Sequence, residues 1–342
     1  MSDSGLQPEG WDVSSLSRLG ESGIIRIMER SLGKSRRDAV GFGDDVSAVS
    51  LSKSRLAVLK TDMLVGSTDV PPGMTMRQAA RKAIVANVSD LAAKGVKPFA
   101  GLVALGLPPT FTAHDILDIG HGLRHGSREY GFPILGGDTN ESKDLVISLS
   151  LFGLTEKRKI MLRSGAKTGD IVAVTGDFGS TSAGLRALLD KKIRPERLPY
   201  ELARAVYRPV AELKLGLRLA ATGSVTSTID SSDGLAWSLH EIAKMSNVGI
   251  RLKDVPVSKA AKDFAARHGY DAGKLALYGG EEYILIITVK PSQLDSAQEA
   301  ARGRLRPIGI VTPRNEGVYL SRDGKDIEIE KKGWEHFRRH FD

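Results

Sequence analysis

The sequence predicts an α/β (α+β) protein with two domains. Apolar segments of strand character alternate with segments of helical periodicity in both halves of the chain, which favours sheets covered by helices over a helix bundle. The chain has 342 residues, of which 41% are hydrophobic, so it is long enough to bury more than one core. A charged stretch at 155–159 has the composition of a linker and divides the two halves.

The first half is predicted to contain the best helix of the chain, at 76–95. Its apolar residues from Ala80 to Leu91 recur at steps of three and four, and Gly95 supplies a C-terminal stop. The residues before 19 are rich in Ser, Gly and Asp, and we expect a mobile tail over 1–18. The other predicted elements of this half are helices at 24–30 and 114–130 and strands at 46–50, 56–59, 99–107, 133–135 and 145–154.

The second half repeats the alternation of strand and helix. A helix is predicted to begin near Gly234, because Leu235, Leu239 and Ile242 fall on one face of it. The other predicted elements are strands at 171–175, 226–230, 275–278 and 283–289 and a helix that ends at 189.

Composition excludes several classes of protein. The chain has no cysteine, which excludes disulfides, thiolate zinc sites and thiol nucleophiles and agrees with a cytoplasmic enzyme. The net charge is +8, but the charges are scattered and aromatic residues make up only 6%, so we predict no nucleic-acid partner. The longest apolar region, 98–109, is shorter than the ~20 residues of a membrane span, so we predict no membrane partner.

A glycine pair followed by a carboxylate stands out in the first half. Gly136 and Gly137 follow an apolar run, and Asp138 comes next, where we expect the strand to end. Glycines let backbone N–H groups approach a phosphate, and a carboxylate at a strand end can bind a hard cation. Four similar acidic clusters lie at 43–45, 61–62, 89–90 and 230–234.

Each acid alone also has a structural explanation. Asp233 could cap its helix, Asp44 could close a turn, Asp138 could form an Asx-turn, and Asp90 could pair with Lys94 on a wet helix surface. Five clusters of the same kind favour a shared metal site, since adjacent acids repel each other unless a cation neutralises them. Oxygen ligands of this type suit magnesium bound with substrate phosphates.

Other nucleotide and catalytic motifs are missing. The chain contains no P-loop, no dinucleotide-binding glycine motif and no G-x-S-x-G elbow. The two histidine pairs, His121 with His125 and His336 with His340, lack the glutamate of a metalloprotease helix and are expected at the surface.

Seven segments occur in an order that resembles a known family. They are Gly43-Asp44-Asp45, Thr61-Asp62, the segment 88–95, Gly136-Gly137-Asp138-Thr139, Arg163-Ser164-Gly165-Ala166-Lys167, Asp230-Ser231-Ser232-Asp233-Gly234 and Gly279-Gly280-Glu281. From about Leu19 to Phe337 the chain resembles thiamine-monophosphate kinase, within the aminoimidazole ribonucleotide synthetase-like superfamily.

The resemblance implies a fold and a set of site residues. It implies an N-terminal ATP- and magnesium-binding domain at 19–155 that pairs with its copy into a barrel in a homodimer, and a C-terminal α/β domain at 156–342. It implies several Mg²⁺ ions as cofactors and ATP as co-substrate. The implied magnesium ligands are Asp44, Thr61, Asp62, Asp90, Asp138, Asp230 and Asp233. The implied ATP contacts are Gly137, Asp138, Arg163 and Ser232, of which Arg163 and Asp138 are also implied in catalysis. The implied substrate contacts are Asp69, Glu281 and Trp334.

The chain departs from the family pattern at two positions. Asp69 stands where the family usually has a histidine, and Gly120 stands where an aromatic residue often seats the adenine. Trp334 has an alternative role as a core anchor for the C-terminus.

The implied reaction transfers the γ-phosphoryl group of ATP to thiamine monophosphate. The acceptor phosphate is already an anion, so the reaction needs positioning and charge neutralisation rather than a strong general base. Two alternatives remain at this point: a related kinase that acts on another phosphorylated metabolite, and a non-catalytic dimeric scaffold.

Overall fold

The computed structural model describes residues 16–33, 38–190, 197–322 and 324–334. The chain divides into two compact units. One unit is Arg37–Gly333, and the other contains the helix α1 (Leu16–Leu32) and Trp334. Residues 1–15 of the expected tail lie outside the described residues, and the expected domain boundary at 155/156 stays a prediction.

The first sheet of the Arg37–Gly333 unit has six strands in the order β1-β2-β3-β6-β4-β5. Only β4 and β5 pair in parallel, while the other neighbours are antiparallel. The strands are β1 (Asp38–Val40), β2 (Ser47–Ser50), β3 (Arg55–Val65), β4 (Pro98–Leu107), β5 (Ile134–Glu141) and β6 (Val146–Glu156).

The second sheet has seven strands in the order β13-β12-β9-β11-β7-β10-β8. Here β12 pairs in parallel with β9, and the other pairs are antiparallel. The strands are β7 (Ile171–Val174), β8 (Val225–Asp230), β9 (Gly249–Leu252), β10 (Leu285–Val289), β11 (Arg306–Thr312), β12 (Val318–Arg322) and β13 (Lys325–Glu328). The mixed α/β architecture predicted from the sequence is therefore confirmed.

Ten further helices belong to this unit in the described residues. They are α2 (Gly66–Asp69), α3 (Met76–Ala93), α4 (Ala113–Tyr130), α5 (Ser180–Leu189), α6 (Tyr200–Tyr207), α7 (Leu213–Thr222), α8 (Leu235–Ser246), α9 (Lys259–His268), α10 (Ala272–Tyr278) and α11 (Leu294–Ala300). Among the described residues, none of the helices combines the length and the apolar character that crossing a membrane requires.

Helix α3 lies at the centre of the unit and positions the site. It packs on β3 and β6 of the first sheet and on β8 of the second, and 13 of its 18 residues are buried. A capping box between Thr75 and Gln78 fixes its start, because the side chain of each residue bonds the backbone N–H of the other. A residue on α3 can therefore meet residues of both sheets.

Three predicted elements differ from the structure. Strand β3 does not stop at Leu59, as predicted, but continues to Val65, because its whole length pairs with β6. Strand β5 continues through Gly137 and Asp138, which places this acid inside a strand. The segment 275–278 forms the end of helix α10, where a strand was predicted, because Asp271 caps a helix that begins before it.

Candidate active site

Three buried carboxylates from distant parts of the chain meet beside α3. Asp45 lies in the turn before β2, Asp90 lies on α3, and Asp230 ends β8. One oxygen atom from each lies within 4.8 Å of the others, and all three residues are buried. Convergent oxygen ligands at this spacing suit a hard divalent cation, so the donor set fits magnesium.

Burial makes two of these three acids difficult to ionise. Burial raises the pKa of Asp90 well above its ordinary value, since the nearby Lys60 charge offsets only part of that cost. Burial beside Asp45 likewise raises the pKa of Asp230 to about 6. Asp45 behaves differently, because the charges of Arg163 and Lys94 outweigh its burial and lower its pKa. A bound cation would favour the ionised form of all three.

Three basic side chains surround this carboxylate cluster. The Lys60 ammonium lies 2.6 Å from Asp90, and the Lys94 ammonium lies 2.7 Å from Asp45. The Arg163 guanidinium pairs with Asp45 and also donates to the Gly43 carbonyl at 3.2 Å. The cluster is thus an alternating array of acids and bases.

The interpretation of Asp90 as a partner of Lys94 on a wet surface was wrong. Asp90 is buried, and Lys94 is fully buried and bonds Asp44 and Asp45 at 2.7 Å each. Lys94 also donates to the Thr228 carbonyl at 2.9 Å. The i,i+4 spacing predicts a helix-surface pair only where the helix has a wet side, and at this point α3 has none.

Two other predicted ligands, Thr61 and Asp62, lie on opposite faces of β3. Asp62 shares its face with Lys60, whose ammonium is 3.9 Å away. The Thr61 hydroxyl donates to the Leu149 carbonyl at 3.2 Å on the neighbouring strand. Side chains alternate along a strand, so the Asp62 side chain leaves the same face as Lys60, while Thr61 lines a cavity together with Asp44, Asp45 and Lys60.

The glycine pair and Asp138 lie away from the cluster within one chain. Asp138 is exposed on β5, in the same cross-strand row as the exposed Met63 of β3. Two strands separate β3 from β5, which puts them ~14 Å apart. Gly137 is required here for close approach, since a Cβ atom would lie 1.6 Å from the Val103 carbonyl oxygen.

A second group of predicted residues meets around Lys82 of α3. Its ammonium lies 2.5 Å from the Glu281 carboxylate and donates to the Asp69 carbonyl at 2.8 Å. The Asp69 side chain points back and accepts from the Val65 N–H at 2.7 Å. Two of the three predicted substrate contacts are therefore joined by a lysine that was not predicted.

The loop that carries Glu281 is bonded to the loop after β8. The Glu281 N–H donates to the Ser232 carbonyl at 2.6 Å, and the Ser232 hydroxyl donates to Asp230 at 3.4 Å. Glu281 and Tyr283 both have left-handed φ angles, 61° and 54°. Non-glycine residues held in this region are strained, and such strain is frequent at ligand sites.

The buried side chain of Tyr283 is close enough to both groups for their charges to act on it. The phenol is buried, and burial followed by the charges of Glu281 and Asp62 raises its pKa well above the ordinary value. It therefore stays protonated and can donate a hydrogen bond at neutral pH. In the sequence, Tyr283 follows two glutamates and begins an apolar segment, and this pattern does not indicate such a role.

The remaining predicted residues are Asp233, Trp334 and the two histidine pairs. Asp233 is half-buried in the loop before α8, and the cap of that helix is Gly234 without a side-chain bond, so the capping explanation for Asp233 was wrong. Trp334 belongs to the other compact unit and is 36% exposed. His121 and His125 are exposed as predicted, whereas His336 and His340 lie outside the described residues.

Five residues of the site were missed as site residues from the sequence: Asp45, Lys60, Lys82, Lys94 and Tyr283. Asp45 belongs to the acidic cluster at 43–45, but the family resemblance implies its neighbour Asp44 as the ligand. The lysines have no motif of their own. Only their positions within apolar elements signalled that they are buried, because a charged residue inside a buried helix or strand needs a partner.

The fold and the buried acidic cluster define a protein of the AIR synthase-related class. The family described as AIR synthase related protein, N-terminal domain, matches residues 43–155. A thiamine-monophosphate kinase of Nitrosopumilus maritimus is 39% identical, covering 94% of this chain and 100% of the relative. That of Pyrococcus abyssi is 38% identical over 86% and 90%. The chain belongs to the thiamine-monophosphate kinase family.

Solved structures agree with this assignment. The structure described as AaThiL complexed with AMPPCP and TMP is 29% identical, with a TM-score of 0.82, and the match covers 95% of this chain and 100% of that one. The hydrogenase maturation protein HypE in complex with ATP is 18% identical with a TM-score of 0.68, and the likeness shows a shared fold.

Proposed function

We propose that this protein transfers the γ-phosphoryl group of ATP to thiamine monophosphate, giving thiamine diphosphate and ADP. The observation that carries the proposal is the convergence of Asp45, Asp90 and Asp230 beside α3 in a chain of this family. These carboxylates, with Asp44 and Asp62 at the edge of the cluster, are the proposed magnesium ligands. Magnesium ions bound there would neutralise phosphate charge.

The chemistry requires two anions to approach each other. The acceptor phosphate is a nucleophile without deprotonation, so no strong general base is needed. The residues of the chain contribute by holding charge and position. Arg163 remains a proposed ATP contact: a guanidinium has five N–H donors, and its bonds to Asp45 and Gly43 leave donors for a phosphate oxygen.

We propose that the working form is a homodimer in which the exposed face of the first sheet is covered by a second copy. That face exposes Leu59, Met63 and Leu102, which is typical of an interaction surface. Gly137 and Asp138 lie on the outermost strand of this sheet. In a dimer of this kind, Asp138 of one chain would serve the cluster of the other, which would explain its distance from Asp90 within one chain.

The substrate side is proposed to be the group around Lys82. The Glu281 carboxylate, which is held by Lys82 at 2.5 Å, is the proposed partner of the cationic ring of thiamine monophosphate. Trp334 belongs to the other compact unit, and its role as a substrate contact stays a prediction. We place the reaction in the cytoplasm, in agreement with a chain that lacks cysteine.

The Asp69 side chain is also compatible with a different substrate. The Asp69 carboxylate is bonded to the Val65 N–H, so it is not directed at a ligand. A related kinase that acts on another phosphorylated metabolite would not need the family's histidine at this position. A transfer assay with several phosphomonoesters separates the two possibilities.

The test is a transfer assay with ATP, Mg²⁺ and a panel of phosphomonoesters, with thiamine diphosphate and ADP separated by chromatography. We expect stoichiometric formation of both products with thiamine monophosphate and little transfer to the other esters. Preference for another ester would favour the related kinase. Absence of ATP turnover with every ester would favour the non-catalytic scaffold.

A further inference from the structure

The side chain of Lys60 projects from the middle of a paired strand into the acidic cluster. Its strand β3 is bonded along its length to β6, with Lys60 opposite Leu151. The ammonium lies 2.6 Å from the Asp90 carboxylate and 3.9 Å from that of Asp62. Only 17% of the Lys60 side chain is exposed.

The position of this ammonium follows from the backbone. Lys60 and Asp62 are two residues apart on a strand, so their side chains leave the same face. Asp90 meets them from a buried part of α3. None of the three residues lies on a loop, and the ammonium is therefore held among the carboxylates by two rigid elements.

Charge counting shows what Lys60 contributes. The cluster contains five carboxylates and three basic groups among the described residues. The acids are Asp44, Asp45, Asp62, Asp90 and Asp230, and the bases are Lys60, Lys94 and Arg163. Lys94 and Arg163 bond Asp44 and Asp45, which leaves Asp62, Asp90 and Asp230 with Lys60 alone. When all of these groups are ionised, two negative charges remain, and one divalent ion balances them.

We propose that Lys60 is a built-in cation that holds Asp62 and Asp90 in place of a divalent ion. The protein then takes up one divalent ion fewer than its carboxylates would accept if this position were neutral. The inference rests on the metal-binding part of the proposed function. It adds that part of the charge neutralisation is supplied by the polypeptide.

An alternative behaviour of Lys60 predicts a different result. If the ammonium leaves Asp90 when metal or nucleotide binds, the carboxylates are already available to the ion in the wild-type protein. Removing the lysine would then leave the number of bound ions unchanged.

The experiment counts bound Mn²⁺ at saturation, from the electron paramagnetic resonance signal of the free ion, with purified full-length protein and no nucleotide. Lys60→Met keeps the length of the side chain without its charge, and Lys60→Arg keeps the charge. Lys53→Met removes an exposed lysine in the turn before β3 and is the matched control. Circular dichroism checks that each variant is folded, and Lys60→Gln replaces Lys60→Met if that variant does not fold.

We expect the neutral Lys60 variant to bind one more Mn²⁺ per chain than the wild type, and both Lys60→Arg and Lys53→Met to match the wild type. An equal or smaller number in the neutral variant would overturn the inference. The measurement uses no substrate, so its result stands apart from the assay of the proposed reaction. A protein that fails to phosphorylate thiamine monophosphate can still gain an ion on loss of Lys60.

Discussion

The ammonium group of Lys94 lies 2.7 Å from the carboxylate of Asp45, and neither side chain is exposed to solvent. Lys94 follows the last turn of α3, whereas Asp45 lies in the turn before β2. A buried pair of this kind is costly to break from one side, because the remaining charge has no water to solvate it. The pair therefore stabilises the fold and also holds Asp45 in the acidic cluster.

Lys94→Met is expected to destabilise the protein by about 3–5 kcal/mol, because it leaves Asp44 and Asp45 without their buried cation. Denaturant unfolding measures the loss. Lys53→Met, at an exposed position, is the control and should change stability by no more than ~0.5 kcal/mol. A loss of less than 1 kcal/mol for Lys94→Met would contradict the structural role.

Asp90→Asn is expected to lower kcat for thiamine-monophosphate phosphorylation by roughly 10²–10³, the size found when one preorganised electrostatic group is removed. The variant should still fold, because Asn keeps the shape of the side chain and Asp62 remains 3.9 Å from the Lys60 ammonium. Steady-state kinetics and thermal unfolding test both parts. Asp295→Asn, exposed on α11, is the matched control. Full activity of Asp90→Asn would remove this residue from the metal site.

Mixing two inactive variants tests whether Asp138 acts across a dimer. If Asp138 serves the cluster of its partner, Asp90→Asn and Asp138→Asn are each inactive alone. Subunit exchange would then give half of the dimers one intact site, and activity should recover to about a quarter of the wild-type value. Sedimentation confirms the dimer. No recovery after verified exchange would assign both residues to a site within one chain.

Glu282 provides a pH-dependent test of the loop that carries Glu281. Burial raises the pKa of Glu282 from 4.5 to about 7, although it accepts bonds from the N–H groups of Gly179 and Thr181. A raised pKa contributes stability that is fully present below pH 4.5 and is lost as the pH rises through 7.

Glu282→Gln should therefore abolish part of the pH dependence of unfolding. From pH 4.5 to 8 the wild type should lose up to roughly 3 kcal/mol relative to this variant. Denaturant unfolding across that range measures the difference. Glu299→Gln, exposed on α11, is the control and should follow the wild type. Parallel curves for Glu282→Gln and the wild type would show that Glu282 ionises as an ordinary acid.

Much of the fold could be predicted from local patterns. Helices α3 and α4 have long amphipathic periods with capping residues, and the structure places them within two residues of the predicted ends. The predicted ends of the strands were less accurate, because the residue at which a strand ends depends on how far its neighbouring strand pairs with it. Asp62 and Asp138 follow glycine or threonine, as residues at a strand end often do, yet both continue in strands that a neighbour extends.

The candidate site was predicted in outline. Asp62, Asp90 and Asp230 converge because β3 and β8 pack on α3, and Asp44 is joined to them by Lys94 at the end of that helix. The sequence could not show that Asp44 and Asp45 both turn inward, since it is the buried Lys94 ammonium that bonds both carboxylates. The buried lysines were missed for a related reason: whether a lysine is solvated depends on which elements cover it, and that is a long-range property.

Helix α3 belongs to the core of both predicted domains. Its residues pack against strands on both sides of position 156, so each predicted domain uses the same helix as part of its core. A fragment that ends at 155 would expose the α3 surface that otherwise meets α7 and β8, and its partner fragment would lack that helix altogether. Neither piece should be soluble when expressed alone, whereas co-expression of the two should restore a folded protein.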